Sequence, residues 1–280
     1  MPRAPRRKPK PARADRAQGG FSFLDAYFEA SRKPLAILVF LLPLLLLYEL
    51  LLLRAFLTGA PLVTPDAHLW ILTLFQAFEL RGVGYWLPGA LVVVVLLAWQ
   101  FAERGAGGGR RGAASGKWTV DPACTGLMFS ESIVLAVPLL VFSQASLRIP
   151  AIASDGIAFE ALPLGSKIAV SIGAGIYEEL LFRLGLLGLL LLVLEDVLGA
   201  SRRFATAAAV GLSAIAFMAY HPLRDGAGAV MPSRVVFYLA AGVYFGTLFV
   251  VRGFGIAVGA HAFYDIGSAL ADAIHRESVG

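Results

Sequence analysis

Residues 176 to 185 read IYEELLFRLG: two adjacent glutamates and an arginine inside an otherwise apolar run. Asp, Lys or Arg at the centre of a membrane helix costs about 2.5 to 3.5 kcal/mol on insertion scales, and an ionised Glu is of similar order. Such groups face a bundle interior or a wet cavity. Helical spacing sorts the three. Glu179 and Arg183 stand at i and i+4, so they share a face and can pair. Glu178 points about 100° away and meets no opposite charge one turn off, because positions 174 and 182 are Ala and Phe. Gly173 and Gly175 just before it permit close approach of another helix, or of a substrate.

Two of the chain's four histidines follow in later apolar segments. His221 ends AFMAYHP, and His261 lies in GAHAFYD with Asp265 one turn on. A lone histidine in an apolar helix is most often a satisfied core residue. Two, on separate helices after a buried Glu-Glu pair, suggest one polar cavity holding Glu178, His221, His261 and Asp265. A carboxylate in low dielectric suits a general base or acid, and equally a proton carrier. With two imidazoles it can activate a water and stabilise an oxyanion. Glu178, His221 and His261 would also make a three-ligand site for a divalent metal such as zinc. No HExxH motif is present, so the cofactor is either none or such a metal.

These residues must be positioned by helices in lipid. The 280 residues are 58% hydrophobic and 15% charged, against about 25% charged in soluble domains. The apolar residues come in blocks long enough to cross a bilayer, about 20 residues each. The expected fold is all-α, a polytopic transmembrane bundle of about seven spans, within a range of six to eight. The spans fall near 35–57, 84–102, 125–145, 166–194, 204–221, 235–251 and 254–274. Three regions are expected: a tail at 1–33, N-terminal helices with a Gly/Arg-rich loop at 34–122, and a catalytic bundle at 123–280.

The net charge of +5 does not point to nucleic acid. Much of it sits in the first 17 residues, with seven Arg or Lys and one Asp. That composition reads as a disordered cytoplasmic tail that sets topology, and it also suits anionic lipid headgroups. Residues 20–33 have the spacing of a short amphipathic surface helix, with Ser22 and Asp25 placed as a capping box. Residues 66–80 read as an interfacial helix. The loop at 103–122, with Gly105 to Gly109 and four basic residues, reads as flexible. It falls on the tail's side, as do Arg202, Arg203 and Arg252; the connections at 146–165 and 222–234 fall on the other. Glu49 is a second in-span carboxylate, read as a cavity or snorkelling group. His68 and His275 are expected to be solvated. Trp70, Trp86, Trp99 and Trp118 are expected near membrane interfaces. The single cysteine, Cys124, allows no intrachain disulfide and no CxxC site.

Three motifs together resemble a known family. EELLFR fits the EExxxR signature of the CAAX-protease and bacteriocin-processing family of intramembrane endopeptidases. FMAYH (217–221) fits its FxxxH signature, and HAFYD (261–265) its third motif, His then three residues then Asn or Asp. Order and spacing are similar over roughly residues 125 to 275. The resemblance implies an intramembrane endopeptidase, type II CAAX prenyl endopeptidase-like. Glu178 would activate the attacking water and His221 assist or orient it. His261 and Asp265 would stabilise the oxyanion or complete the water site, with Glu179 and Arg183 holding the architecture. The expected partners are the bilayer and a membrane-embedded or lipidated polypeptide substrate. The expected location is a bacterial inner membrane with a cytoplasmic N-terminus. A non-catalytic scaffold or immunity protein, and a proton-coupled transporter, are the alternative classes. The costly intact Glu-Glu, His, His set weighs against the first, and the lack of a visible inverted repeat against the second.

Overall fold

The computed structural model describes residues 23–59, 63–77, 86–107, 119–147 and 162–279, with only the backbone at 104–107, 146–147 and 275–279. The readings of the tail at 1–17, of Ser22, of most of the 103–122 loop, of Trp118 and of the His275 side chain lie outside the described residues and side chains.

Every regular element among the described residues is a helix. α1 covers residues 23–30. α2 (Pro34–Thr58) starts with proline in its first turn, where the missing N–H costs nothing, and stops at Gly59 with φ 67. α3 is Asp66–Ala77, α4 Leu87–Gly107 and α5 Pro122–Leu147. α6 is one continuous helical stretch, α-helical over Leu164–Glu179 and then π-helical over Leu180–Leu187, with a further short α and π segment to Val197. α7 is Arg202–Tyr220, α8 Pro232–Arg252 and α9 Phe254–Val279.

Five of these, α2, α5, α7, α8 and α9, are long and apolar enough to cross a membrane. α4 has a shorter apolar stretch at Leu87–Glu103, and α6 carries the charged residues of the site. Each of the seven expected spans coincides with a helix. The outward faces are apolar, with Leu46, Val94, Val134, Val141 and Ile215 all exposed, as a lipid-facing bundle requires. Trp70 and Trp86 are exposed, while Trp99 packs against the core.

α6 is the central element. It packs along α9 and α2, its π-helical part lies against α7, and α7 packs along α8. Small residues set the closest approaches. A Cβ at Gly175 would stand 2.8 Å from the Ala262 N and Cβ atoms, and one at Gly242 2.8 Å from the Ala214 Cα. Without lipid-excluding force between helices, such contacts let backbones approach and supply the dispersion energy of association.

His68 corrects the sequence reading. It is not solvated but fully buried on α3, its Nδ1 2.9 Å from the Tyr48 hydroxyl, edge-on to Tyr177 of α6. α3 is amphipathic, and its His68 face turns inward because Tyr48 supplies the polar partner that burial demands. Burial lowers the His68 imidazole from 6.5 to about 4. The unfolded chain therefore binds the proton first, and stability falls as pH drops from 6.5 towards 4, by about 3 kcal/mol at the limit. His68→Gln keeps a polar partner for Tyr48 without titrating. The melting temperature of the wild type is expected to fall more than that of His68→Gln between pH 7 and 4.5. Parallel curves would contradict this role.

Candidate active site

The chain leaves α-geometry directly after the two glutamates. The π-helical turns from Leu180 add a residue per turn, and such segments cluster at functional sites. The Ser213 hydroxyl of α7 donates to the Phe182 carbonyl at 2.7 Å inside this stretch. Arg183 projects from it, fully buried, with Nε 3.2 Å from Glu179 Oε2 and Nη2 3.4 Å from the Gly242 carbonyl of α8. Its guanidinium carbon lies 4.2 Å from the Phe217 ring centroid, a cation–π arrangement. The buried charge is thus paired and packed against an aromatic ring.

Glu179 has a second contact that spacing alone does not reveal. Its Oε1 is 2.9 Å from His261 Nδ1. A carboxylate only accepts, so Nδ1–H donates to it and Nε2 is the atom left facing the cavity. That Nε2 lies 3.9 Å from Glu178 Oε2 and 3.5 Å from Asp265 Oδ2. The His261 ring therefore sits between the two neighbouring glutamates, one on each nitrogen.

His221 is the C-cap of α7, in extended conformation. Its Nδ1 lies 2.8 Å from the Phe217 carbonyl. Since a carbonyl only accepts, Nδ1–H donates and Nε2 is free to accept. Nε2 is 3.7 Å from Glu178 Oε2. Glu178 is almost fully buried, and its Oε2 has no hydrogen-bond partner. Gaps of 3.7 and 3.9 Å are too long for direct bonds and of the size a bridging water fills. The sequence placed His221 near the end of its helix and Glu178 well inside its own. Helix α7 ends level with Glu178, so both reach one place.

Glu178, His221, His261 and Asp265 line one cavity of about 670 Å³. Two residues of α8, a helix that bears none of the three motifs, complete it. Tyr238 stacks on the His221 ring (centroids 4.0 Å apart, planes 23°), and Phe245 on the His261 ring (4.4 Å, 16°). They are seven residues apart, two helical turns, and so face the same way. That spacing of aromatics was the signal available in the sequence. Glu49 does not line the cavity. It packs between α2 and α4 against Gly89, both oxygens without a hydrogen-bond partner. Among the described residues no group of three or more His, Cys, Asp or Glu is arranged to hold a metal ion.

Gly175 carries a test of this geometry. In Gly175→Ala the new methyl meets backbone of α9, which cannot rotate away. The helices must separate, at about 1–3 kcal/mol, and both glutamates move off His261. Lower melting temperature with loss of turnover is expected. Gly126→Ala, whose Cβ meets nothing within 4 Å, is expected to change neither. Equal behaviour of the two variants would contradict the tight α6–α9 contact.

Residues 160–267 match the family model described as type II CAAX prenyl endopeptidase Rce1-like. The match includes all three motifs and bears out the resemblance they carry. No curated protein and no solved structure matches the chain.

Proposed function

From the Rce1-like, CAAX-protease character of residues 160–267, we propose that this integral membrane protein hydrolyses peptide bonds of a membrane-embedded or lipid-anchored polypeptide. Residues 123–280 form the catalytic bundle, and 34–122 brace it. The host membrane is a bacterial inner membrane, with the N-terminus in the cytoplasm. One observation carries the reading: Glu178 Oε2 lies 3.7 and 3.9 Å from the two imidazole Nε2 atoms inside one cavity.

These distances support the following chemistry. A water between Glu178 and His221 hydrogen-bonds to both acceptors, one O–H to each, as it approaches the scissile carbonyl. Glu178 takes the proton, and the hydroxide oxygen bonds to the carbonyl carbon. The C=O π pair moves to oxygen. A proton on His261 Nε2, the nitrogen not held by Glu179, points at that oxyanion, and Asp265 orients the ring from one turn on. The proton on Glu178 then passes to the leaving nitrogen and the C–N bond breaks. One carboxyl and one amine terminus result, and the enzyme returns to its starting protonation state. No protein nucleophile bonds to the substrate.

Hydroxylamine trapping tests that last point. In the purified protein reconstituted in lipid, products formed with hydroxylamine present are expected to carry ordinary carboxyl termini. Hydroxamate termini that rise with hydroxylamine would show an acyl-enzyme and overturn direct attack by water.

A further inference from the structure

Residues 222–231, directly after His221, form a closed turn. Proline leaves the residue before it little but extended backbone. His221 adopts it, with φ -86 and ψ 158, and α7 ends there. The chain then doubles back. Arg224 pairs with Val230 in an isolated antiparallel bridge, and the Met231 N–H donates to the Leu223 carbonyl at 2.8 Å. The Asp225 carboxylate accepts from the Ala227 and Ala229 N–H groups at 3.0 and 2.8 Å. Gly228, at φ 85, takes the left-handed conformation at the tip. These bonds fix the shape of the turn.

A side chain of α8 holds the turn against that helix. Arg234 sits in the first turn of α8 and is buried. Its Nη1 donates to the Pro222 carbonyl at 3.1 Å and to the Arg224 carbonyl at 2.9 Å. The placement is unfavourable twice over. A cation near a helix N-terminus opposes the macrodipole, and a buried guanidinium gives up its hydration. An apolar residue would fill the space at neither cost. Tyr238, one turn further along the same face of α8, stacks on the His221 ring. His221 is therefore held at three points. The Phe217 carbonyl takes its Nδ1–H, Tyr238 covers its ring, and Arg234 grips the backbone one residue on.

We propose that Arg234 is a positioning residue of the site, fixing the backbone beyond His221 so that the His221 Nε2 stays 3.7 Å from Glu178 Oε2. The consequence for turnover rests on the proteolytic reading; the orientation of the ring does not. Arg234 is not among the residues that line the cavity, so it acts through His221. Without it the Pro222 and Arg224 carbonyls lose this donor, and the closed turn swings as one piece about the link to His221. The ring then leaves the Phe217 carbonyl for part of the time, and Nε2 no longer faces Glu178 throughout. A reacting group misplaced by about 1 Å costs on the order of 10²-fold in rate.

Arg234→Met keeps the stem of the side chain and removes its donors. The control is Arg224→Gln, whose exposed side chain bonds the Gly228 carbonyl inside the turn. The first reading needs no substrate. In full-length protein labelled with nitrogen-15 histidine, the His221 signals are assigned by their loss in His221→Gln. The wild type is expected to show well separated Nδ1 and Nε2 signals, those of one fixed tautomer. Arg234→Met is expected to draw them together as the ring samples both tautomers. Unchanged signals in the folded variant would overturn the inference. The second reading is the initial rate at which new amine termini form among the host's membrane polypeptides, each variant being equally abundant. Arg234→Met is expected to be about 10- to 100-fold slower, and Arg224→Gln within a factor of about two of the wild type. Added to His221→Gln, Arg234→Met is expected to slow the rate less than about twofold further, since its target is already gone. Losses that multiply in full would show Arg234 acting apart from His221, and would overturn the inference. If Arg234→Met does not fold, Arg234→Lys, a shorter donor, takes its place and the same readings decide. If the signals move as expected but the wild type forms no new termini, the positioning stands and the proteolytic reading fails.

Discussion

Glu178→Gln is expected to fold, insert and melt as the wild type does, and to lose about 10²- to 10⁴-fold in turnover, the range that a positioned general base contributes. The two properties separate because of what surrounds the group. Glu178 Oε2 has no hydrogen-bond partner, and an amide keeps one oxygen as an acceptor for any neighbouring donor. Its volume is unchanged, and the ion pair of Glu179 with Arg183 is untouched. What disappears is the acceptor for the water proton. Purified variant and wild type, compared by thermal unfolding and by rate of product formation, check both halves. A variant that melts normally and turns over within a factor of two would remove Glu178 from the chemistry. A variant that fails to fold would show that the carboxylate is structural.

Arg183→Met is expected to do the opposite, destabilising the bundle by about 3–5 kcal/mol. Removing one partner of a buried pair leaves the other charge uncompensated. Here Glu179, itself fully buried, would keep only His261 as an ionic partner, and the Gly242 carbonyl would lose its side-chain donor. The packing of the guanidinium on Phe217 would go too. Activity falls with stability, since Glu179 also holds the His261 ring. The double variant Glu179→Gln with Arg183→Met is expected to recover part of the loss, as no unpaired charge remains. A thermodynamic cycle on detergent-solubilised protein measures the coupling. Independent, additive effects would mean that the pair carries no special burden.

The bundle was largely readable from apolar block length, because lipid forces each backbone group to be satisfied within its own helix. The Glu179–Arg183 contact was readable for a similar reason: residues four apart share a face whatever the tertiary context. The link from Glu179 to His261 was not, since 82 residues separate them and only helix packing brings them together. The stacking of Tyr238 and Phe245 on the two imidazoles was missed because α8 carries no ionisable motif to draw attention to it. His68 was misread for a physical reason as well. Its own segment is short and polar enough to lie at the surface, and its partner Tyr48 sits in another helix. The π-helical turns after Glu179 leave no mark in the hydropathy pattern, which is apolar throughout that stretch.

Proteolysis itself is the central claim, and the most direct measurement compares polypeptide termini. Membranes are prepared from the natural host with equal amounts of wild-type protein and of Glu178→Gln, and the termini are read by mass spectrometry. The expected result is a set of new amine and carboxyl termini present with the wild type alone. Identical sets of termini, with the variant folded and equally abundant, would contradict the account.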